Sequence, residues 1–129
     1  MKGLEKLLGS ARLLRKRLDR RAVILMYHRV AEVRSDPWSL CVTPQHFAEH
    51  MEILRRHARP ISLRELTGAL REGSVPRRSV VVTFDDGYLD NLKNARPLLE
   101  RYDIPATFFI ATGYLGGERE FWWDELERM

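Results

Sequence analysis

A single cysteine, Cys41, rules out an internal disulfide, and with no second thiol it carries no information on redox compartment. It reads as a small apolar residue. No apolar run is long enough to cross a bilayer, and the first residues lack the continuous hydrophobic stretch of a secretory signal. These absences fit a cytoplasmic location or a peripheral one at a membrane surface. There is no glycine-rich phosphate loop of the G-x-x-x-x-G-K type. Histidine is also scarce: the four are His28, His46, His50 and His57, and none follows Gly87.

What is present is a charged chain of single-domain size. Its 129 residues are 44% hydrophobic and 31% charged, as in an ordinary globular domain with a modest core. The 22 Lys/Arg exceed the 18 Asp/Glu by four, but unevenly. Residues 1–21 hold eight Lys/Arg against Glu5 and Asp19, which leaves 14 against 16 in the remainder. The basicity therefore belongs to an N-terminal arm, and nucleic-acid binding by the rest is not indicated. Within that arm Leu4, Leu7, Leu8, Ala11, Leu14 and Leu18 keep helical spacing, with Lys6, Arg12, Arg15, Lys16 and Arg17 between them. Two readings of this basic amphipathic helix stay open. One is a solvated helix with one stripe packed on the domain, the other a helix lying on an anionic membrane.

The stretch Ser79-Val-Val-Val-Thr-Phe-Asp-Asp-Gly87 organises the rest. Val80, Val81 and Val82 lead into Thr83 and Phe84 without alternation, the pattern of a strand buried on both faces. Asp85 and Asp86 follow at once, and Gly87 lets the backbone turn away. In α/β folds the carboxyl ends of strands are where ligands and catalytic groups collect. Asp-Asp-Gly after a strand also suits an ordinary turn. A phosphatase with an aspartate nucleophile wants Asp-x-Asp there, and a phosphoacceptor receiver domain wants its acidic pair on the first strand, so neither fits.

Around this stretch the chain alternates strand and helix. Ala22–Tyr27 is a continuous apolar run and is expected to be the first core strand, with His28 and Arg29 at its exit. If that strand runs parallel to Val80–Phe84, His28 lies at the same end as the Asp pair; it is a site candidate or a histidine that closes a loop. Residues 31–40 have no period and read as a loop. Thr43 caps a helix with Pro44 at its first position and Phe47, Met51, Leu54 and Ala58 on its buried stripe. A short extended piece near Ile61 precedes a capping box, Ser62 to Glu65, and a helix ending near Gly73. After Gly87, Tyr88, Leu92, Ala95, Leu99 and Tyr102 keep helical spacing, but Pro97 makes the first turns irregular. Ala106–Ile110 is expected to be the next strand, and 121–129 begins another helical pattern. The rhythm means a parallel sheet with crossover helices.

Taken together, Leu25-Met-Tyr-His-Arg-Val30, Thr83-Phe-Asp-Asp-Gly-Tyr88 and Ile104-Pro-Ala-Thr-Phe-Phe-Ile110 resemble the polysaccharide deacetylases, the NodB-homology or carbohydrate esterase family 4 group. The resemblance runs from about Ala22 to Met129, so residues 22–129 are expected to be an incomplete domain of that type. It implies the N-terminal portion of a deformed (β/α) barrel. It also implies a hydrolase that removes N-acetyl, less often O-acetyl, groups from a sugar polymer or glycoconjugate, with a divalent metal, zinc. By the same resemblance Asp85 is the general base and Asp86 a metal ligand, while His28 and Tyr88 border the substrate groove. The family's other two metal ligands come from a later His-(Ser/Thr)-x-x-His-Pro motif, which these 129 residues lack. A catalytic zinc needs about three protein ligands, so these residues alone are expected to be inactive. The alternative is a catalytically inactive, deacetylase-like fragment that serves as a carbohydrate-binding or assembly module.

His46-Phe-Ala-Glu-His50 offers two histidines on one helix face, but it precedes the Asp pair. Phe47 and Met51 also stand where the family motif has Ser/Thr and Pro. A solvated helix face accounts for it. On the membrane reading, replacing Lys6, Arg12, Arg15, Lys16 and Arg17 with Gln weakens binding to anionic lipid vesicles; unchanged binding removes that reading.

Overall fold

The computed structural model describes residues 21–117 and 119–129. The helix expected over residues 4–18, and with it any membrane contact of the arm, lies outside the described residues. Among the described residues no helix is long and apolar enough to cross a membrane.

Strand β5 (Ser79–Phe84) is the centre of the sheet, and every residue in it is buried. One edge pairs in parallel with β1 (Ala22–Tyr27) along its whole length, from Ala22 opposite Ser79 to Tyr27 opposite Phe84. The start of β5 also pairs with β4 (Arg59–Pro60), and its end, from Val82 to Phe84, with β6 (Ala106–Phe108). Because a strand has only two edges, β4 and β6 lie end to end along the second one. A separate parallel pair joins β2 (Arg29–Val30) to β3 (Cys41–Val42).

Both faces of β5 are covered. Val82 and Phe84 pack with Val30, Phe47, Met51, Ala95, Leu99 and Ile104. Val81, pointing the other way, meets Ile61, Leu66 and Val75. The first group brings in helix α1 (Pro44–His57), whose Thr43 side chain accepts the His46 N–H and whose Pro44 spends no needed donor. The second brings in α2 (Leu63–Arg71), started by a complete Ser62–Glu65 capping box and followed by Gly73 at φ 63°. After β5 the chain forms a π-helical turn over Asn91–Ala95 and becomes regular in α3 (Arg96–Arg101), where Pro97 sits in the first turn. A 3-10 turn at Thr112–Tyr114 and helix α4 (Trp122–Glu127) complete the order.

Two sequence expectations need correction. The apolar run of β1 is a strand but not a buried one: Val23, Ile24 and Met26 are 54%, 53% and 60% exposed. Among the described residues β1 pairs only with β5, so its outer edge and much of both faces are uncovered. The strand expected over Ala106–Ile110 stops at Phe108. Its partner leaves the sheet there: the Phe109 N–H still reaches the Phe84 carbonyl (2.8 Å), but beyond Phe84 the chain turns away.

An open parallel edge with apolar side chains is a template for pairing with another chain. The 129-residue chain by itself is therefore expected to self-associate in sedimentation experiments, and Ile24→Lys to reduce the association. A wild-type chain that stays monomeric at the same concentration would contradict this.

Candidate active site

The site is built at the exit of β5. The Asp85 N–H donates to the Tyr27 carbonyl (3.0 Å), which carries the β1–β5 ladder one residue past the strands and fixes where Asp85 begins. His28 follows Tyr27 on β1 as Asp85 follows Phe84 on β5, so parallel pairing brings the histidine and the Asp pair to one end of the sheet. The Gly87 N–H then returns to the Asp85 carbonyl (2.9 Å), with Asp86 between them at φ 71°. That is a three-residue turn of the positive-φ kind, which is rare and strained for a residue with a side chain. Gly87 has φ 80°, and a Cβ there would stand 2.9 Å from Ile110 Cδ1. The glycine is called for by its backbone angle, and the Ile110 side chain packs closely over it.

Asp86 lines a cleft of about 410 Å³ together with His28, Trp38, Leu40, Trp122 and Trp123. Burial holds its carboxyl above the ordinary carboxylate range; His28 pulls the other way, while Asp85 and Asp124 add to the rise. The carboxylates thus crowd one another, and a cation beside them would relieve the repulsion. Even so, among the described residues no group of three or more His, Cys, Asp and Glu is arranged to hold a metal ion. Asp86 suits one position of such a site, and the described donors do not complete it. His46 and His50 stand apart on the exposed face of α1, where His50 Nδ1 meets the Tyr27 hydroxyl (3.1 Å).

Tyr88 is one step behind the cleft wall. Its hydroxyl accepts from Trp123 Nε1 (2.7 Å) and donates to Asp124 Oδ2 (2.9 Å). Burial, reinforced by Asp124, pushes the phenol far above its usual range and keeps this proton in place. The Arg29 guanidinium covers the Tyr88 ring at 4.5 Å and its Nε holds Asp90 Oδ2 (3.0 Å), while Asp90 Oδ1 accepts the Val30 N–H (3.0 Å). Asn94 Nδ2 donates to the Val30 carbonyl (2.7 Å). With its amide turned so that nitrogen faces oxygen, Asn91 bonds the His28 carbonyl (3.0 Å) and Asp90 Oδ1 (3.1 Å). These contacts tie the exit of β1 to the segment after β5.

Sequence reading did not single out Trp38, Trp122, Trp123, Asp124, Arg29, Asp90 or Asn91. A signal was available for the tryptophans: all three in the chain fall in segments that read as loop or helix start, none in a strand. Cys41 keeps its inert role, since burial chiefly raises its thiol.

The raised Asp86 carboxyl has a stability consequence. It holds its proton more tightly when folded than when unfolded, so its favourable contribution is largest in acid and is lost as pH rises through the raised value. In chelator-treated protein at pH 7, Asp86→Asn is expected to raise the urea midpoint, helped by the tolerance of Asn for positive φ. The gain should shrink as pH falls toward the ordinary 3.8. Equal midpoints at pH 7 would refute it.

Residues 72–129 match the polysaccharide deacetylase family model. A poly-β-1,6-N-acetyl-D-glucosamine N-deacetylase of Staphylococcus aureus (strain MSSA476) is 33% identical over 110 residues, covering 75% of this chain and 38% of the relative. Among solved structures, IcaB from Ammonifex degensii superposes with a TM-score of 0.69 at 32% identity, over 77% of this chain and 42% of that one. The Streptococcus pyogenes deacetylase PplD in complex with acetate gives 0.67 at 27%, over 83% and 50%. The chain thus spans only about 38% of the length of the curated relative. The parallel strands and crossover helices described above are part of a deformed (β/α) barrel, and the chain belongs to the polysaccharide deacetylase family.

Proposed function

We propose that this chain supplies part of the active site of a hydrolase that removes acetyl groups from N-acetylated sugars in a polysaccharide of the β-1,6-linked glucosamine type. The observation that carries the reading is the carboxylate pair Asp85–Asp86 at the exit of a fully buried strand, in a chain 33% identical to an N-deacetylase of such a polymer. An acetamide is a poor electrophile, so hydrolysis needs a base to take a proton from the attacking water and an acid for the leaving amine. Asp85 is the base in this proposal. It sits at the strand exit, where the backbone bond to Tyr27 fixes the start of the turn. Asp86, turned into the cleft, contributes one ligand to a divalent cation of the zinc type. When bound, such a cation polarises an acyl carbonyl and makes water more acidic. Among the described residues no group of three such donors is assembled around it. His28 borders the sugar from the same cleft, and Tyr88 supports the groove from behind through Trp123.

A second reading, a carbohydrate-binding or assembly module without turnover, rests on the described residues alone, which hold no group of three metal donors. Acetate release from β-1,6-linked N-acetylglucosamine oligomers by the gene product isolated from its source cell separates the two. Under the proposal Asp85→Asn lowers release by roughly 10²–10⁴-fold with metal content unchanged. Full activity in that variant sinks the base assignment. Oligomer binding with no acetate release makes the second reading the better one.

A further inference from the structure

The three tryptophans of the chain come from two segments far apart in sequence, yet all three line the one cleft that holds Asp86 and His28. Trp38 belongs to the loop between β2 and β3, and Trp122 and Trp123 open helix α4. Their environments differ in an instructive way. Trp123 is fixed from behind: its ring stacks on Phe121 at 4.6 Å and its indole N–H is committed to the Tyr88 hydroxyl. Trp38 and Trp122 meet each other edge to face at 6.4 Å and remain 49% and 56% exposed. Trp122 also leans edge-on against the fixed Trp123 at 5.4 Å. Core packing does not account for two large rings left half exposed side by side in a cleft, because burying them is more favourable. An aromatic wall beside a carboxylate and an imidazole is instead a recognition surface for a ligand with an apolar face and a polar rim.

A pyranose ring has that character. Its axial C–H groups make one flat apolar face that packs on an indole, and its hydroxyls radiate at the edge, where carboxylates and imidazole accept and donate hydrogen bonds. The cleft volume of about 410 Å³ falls within the range of small-ligand sites and is open enough for a ring that continues into a chain. We propose that Trp38 and Trp122 form the platform on which a sugar ring of the polysaccharide stacks, with Trp123 as the fixed backing that sets their angle. This rests on the deacetylase reading and names the residues that would position its substrate. Since Trp123 is hydrogen-bonded to Tyr88, which directly follows Gly87, the platform and the carboxylate turn are held in one frame. The platform binds the ring and takes no part in bond breaking, so its loss should weaken binding and leave chemistry alone.

The test uses the gene product from its source cell and a β-1,6-linked N-acetylglucosamine pentasaccharide. Trp38→Ala and Trp122→Ala are each expected to raise the Kd by calorimetry, and the KM for acetate release, about tenfold, with kcat within a factor of two. Trp38→Phe and Trp122→Phe should recover most of the affinity, since a flat ring is retained. Both tryptophans are half-exposed, so truncation leaves the core intact, and far-ultraviolet circular dichroism matching wild type verifies this. If the alanine variants bind and turn over like wild type while Asp85→Asn is inactive, the platform is wrong and the deacetylase reading stands. If wild type neither binds nor deacetylates the oligomer, the functional reading fails and the platform falls with it.

Discussion

Strand β5 has both faces and both edges occupied, and then ends within one residue. Val82 and Phe84 are locked into the larger apolar cluster and Val81 into the smaller one, so the strand cannot shift its register by a residue without turning every side chain into the wrong layer. That rigidity is what makes the turn at Asp85–Asp86–Gly87 meaningful. A strained positive-φ aspartate persists only where its surroundings over-determine it. Here the ladder bond from Asp85 to Tyr27 sets one side, and the Ile110 side chain against Gly87 sets the other. The carboxylates are placed by the core.

A second set of contacts carries that placement outward. Arg29 joins the Asp90 carboxylate to the Tyr88 ring, and Tyr88 joins Trp123 to Asp124. The Arg29–Asp90 pair is mostly shielded from solvent and its carboxylate also accepts a backbone N–H, so it is geometrically fixed in a way that the exposed Arg56–Glu52 and Arg96–Glu100 pairs on helix surfaces are not. Polar groups here act as struts between segments distant in sequence. The apolar core alone would not orient them, because hydrophobic contact has no direction.

Local chemistry explains which parts of this were legible in the sequence. The Thr43 cap with Pro44, the Ser62–Glu65 box, the irregular start before Pro97 and the doubly buried β5 depend on residues within a few positions of one another, and all are found. The family resemblance drew on the same short stretches. What was not legible depends on neighbours. The run Ala22–Tyr27 is as apolar as β5, yet Ile24 and Met26 lie open because β1 is at the margin of the sheet; apolarity reports that a strand wants cover, and only topology says whether it has it. The end of β6 at Phe108 was set by the departure of its partner, which its own sequence cannot encode. The convergence of Trp38 with Trp122 and Trp123 is a tertiary event: their loop and helix-start positions flag each ring singly but not that they meet.

The π-helical turn over Asn91–Ala95 acts as a phase adjuster. A helix of ordinary pitch advances about 100° per residue, and a π turn holds one residue more before the regular winding of α3 begins. Asn91 and Asn94 use that extra residue to reach the carbonyls of His28 and Val30, while Ala95 and Leu99 still arrive facing the core. Removing a single residue there would rotate one group or the other off its target. The length of this short segment is therefore as fixed as the identity of the aspartates before it.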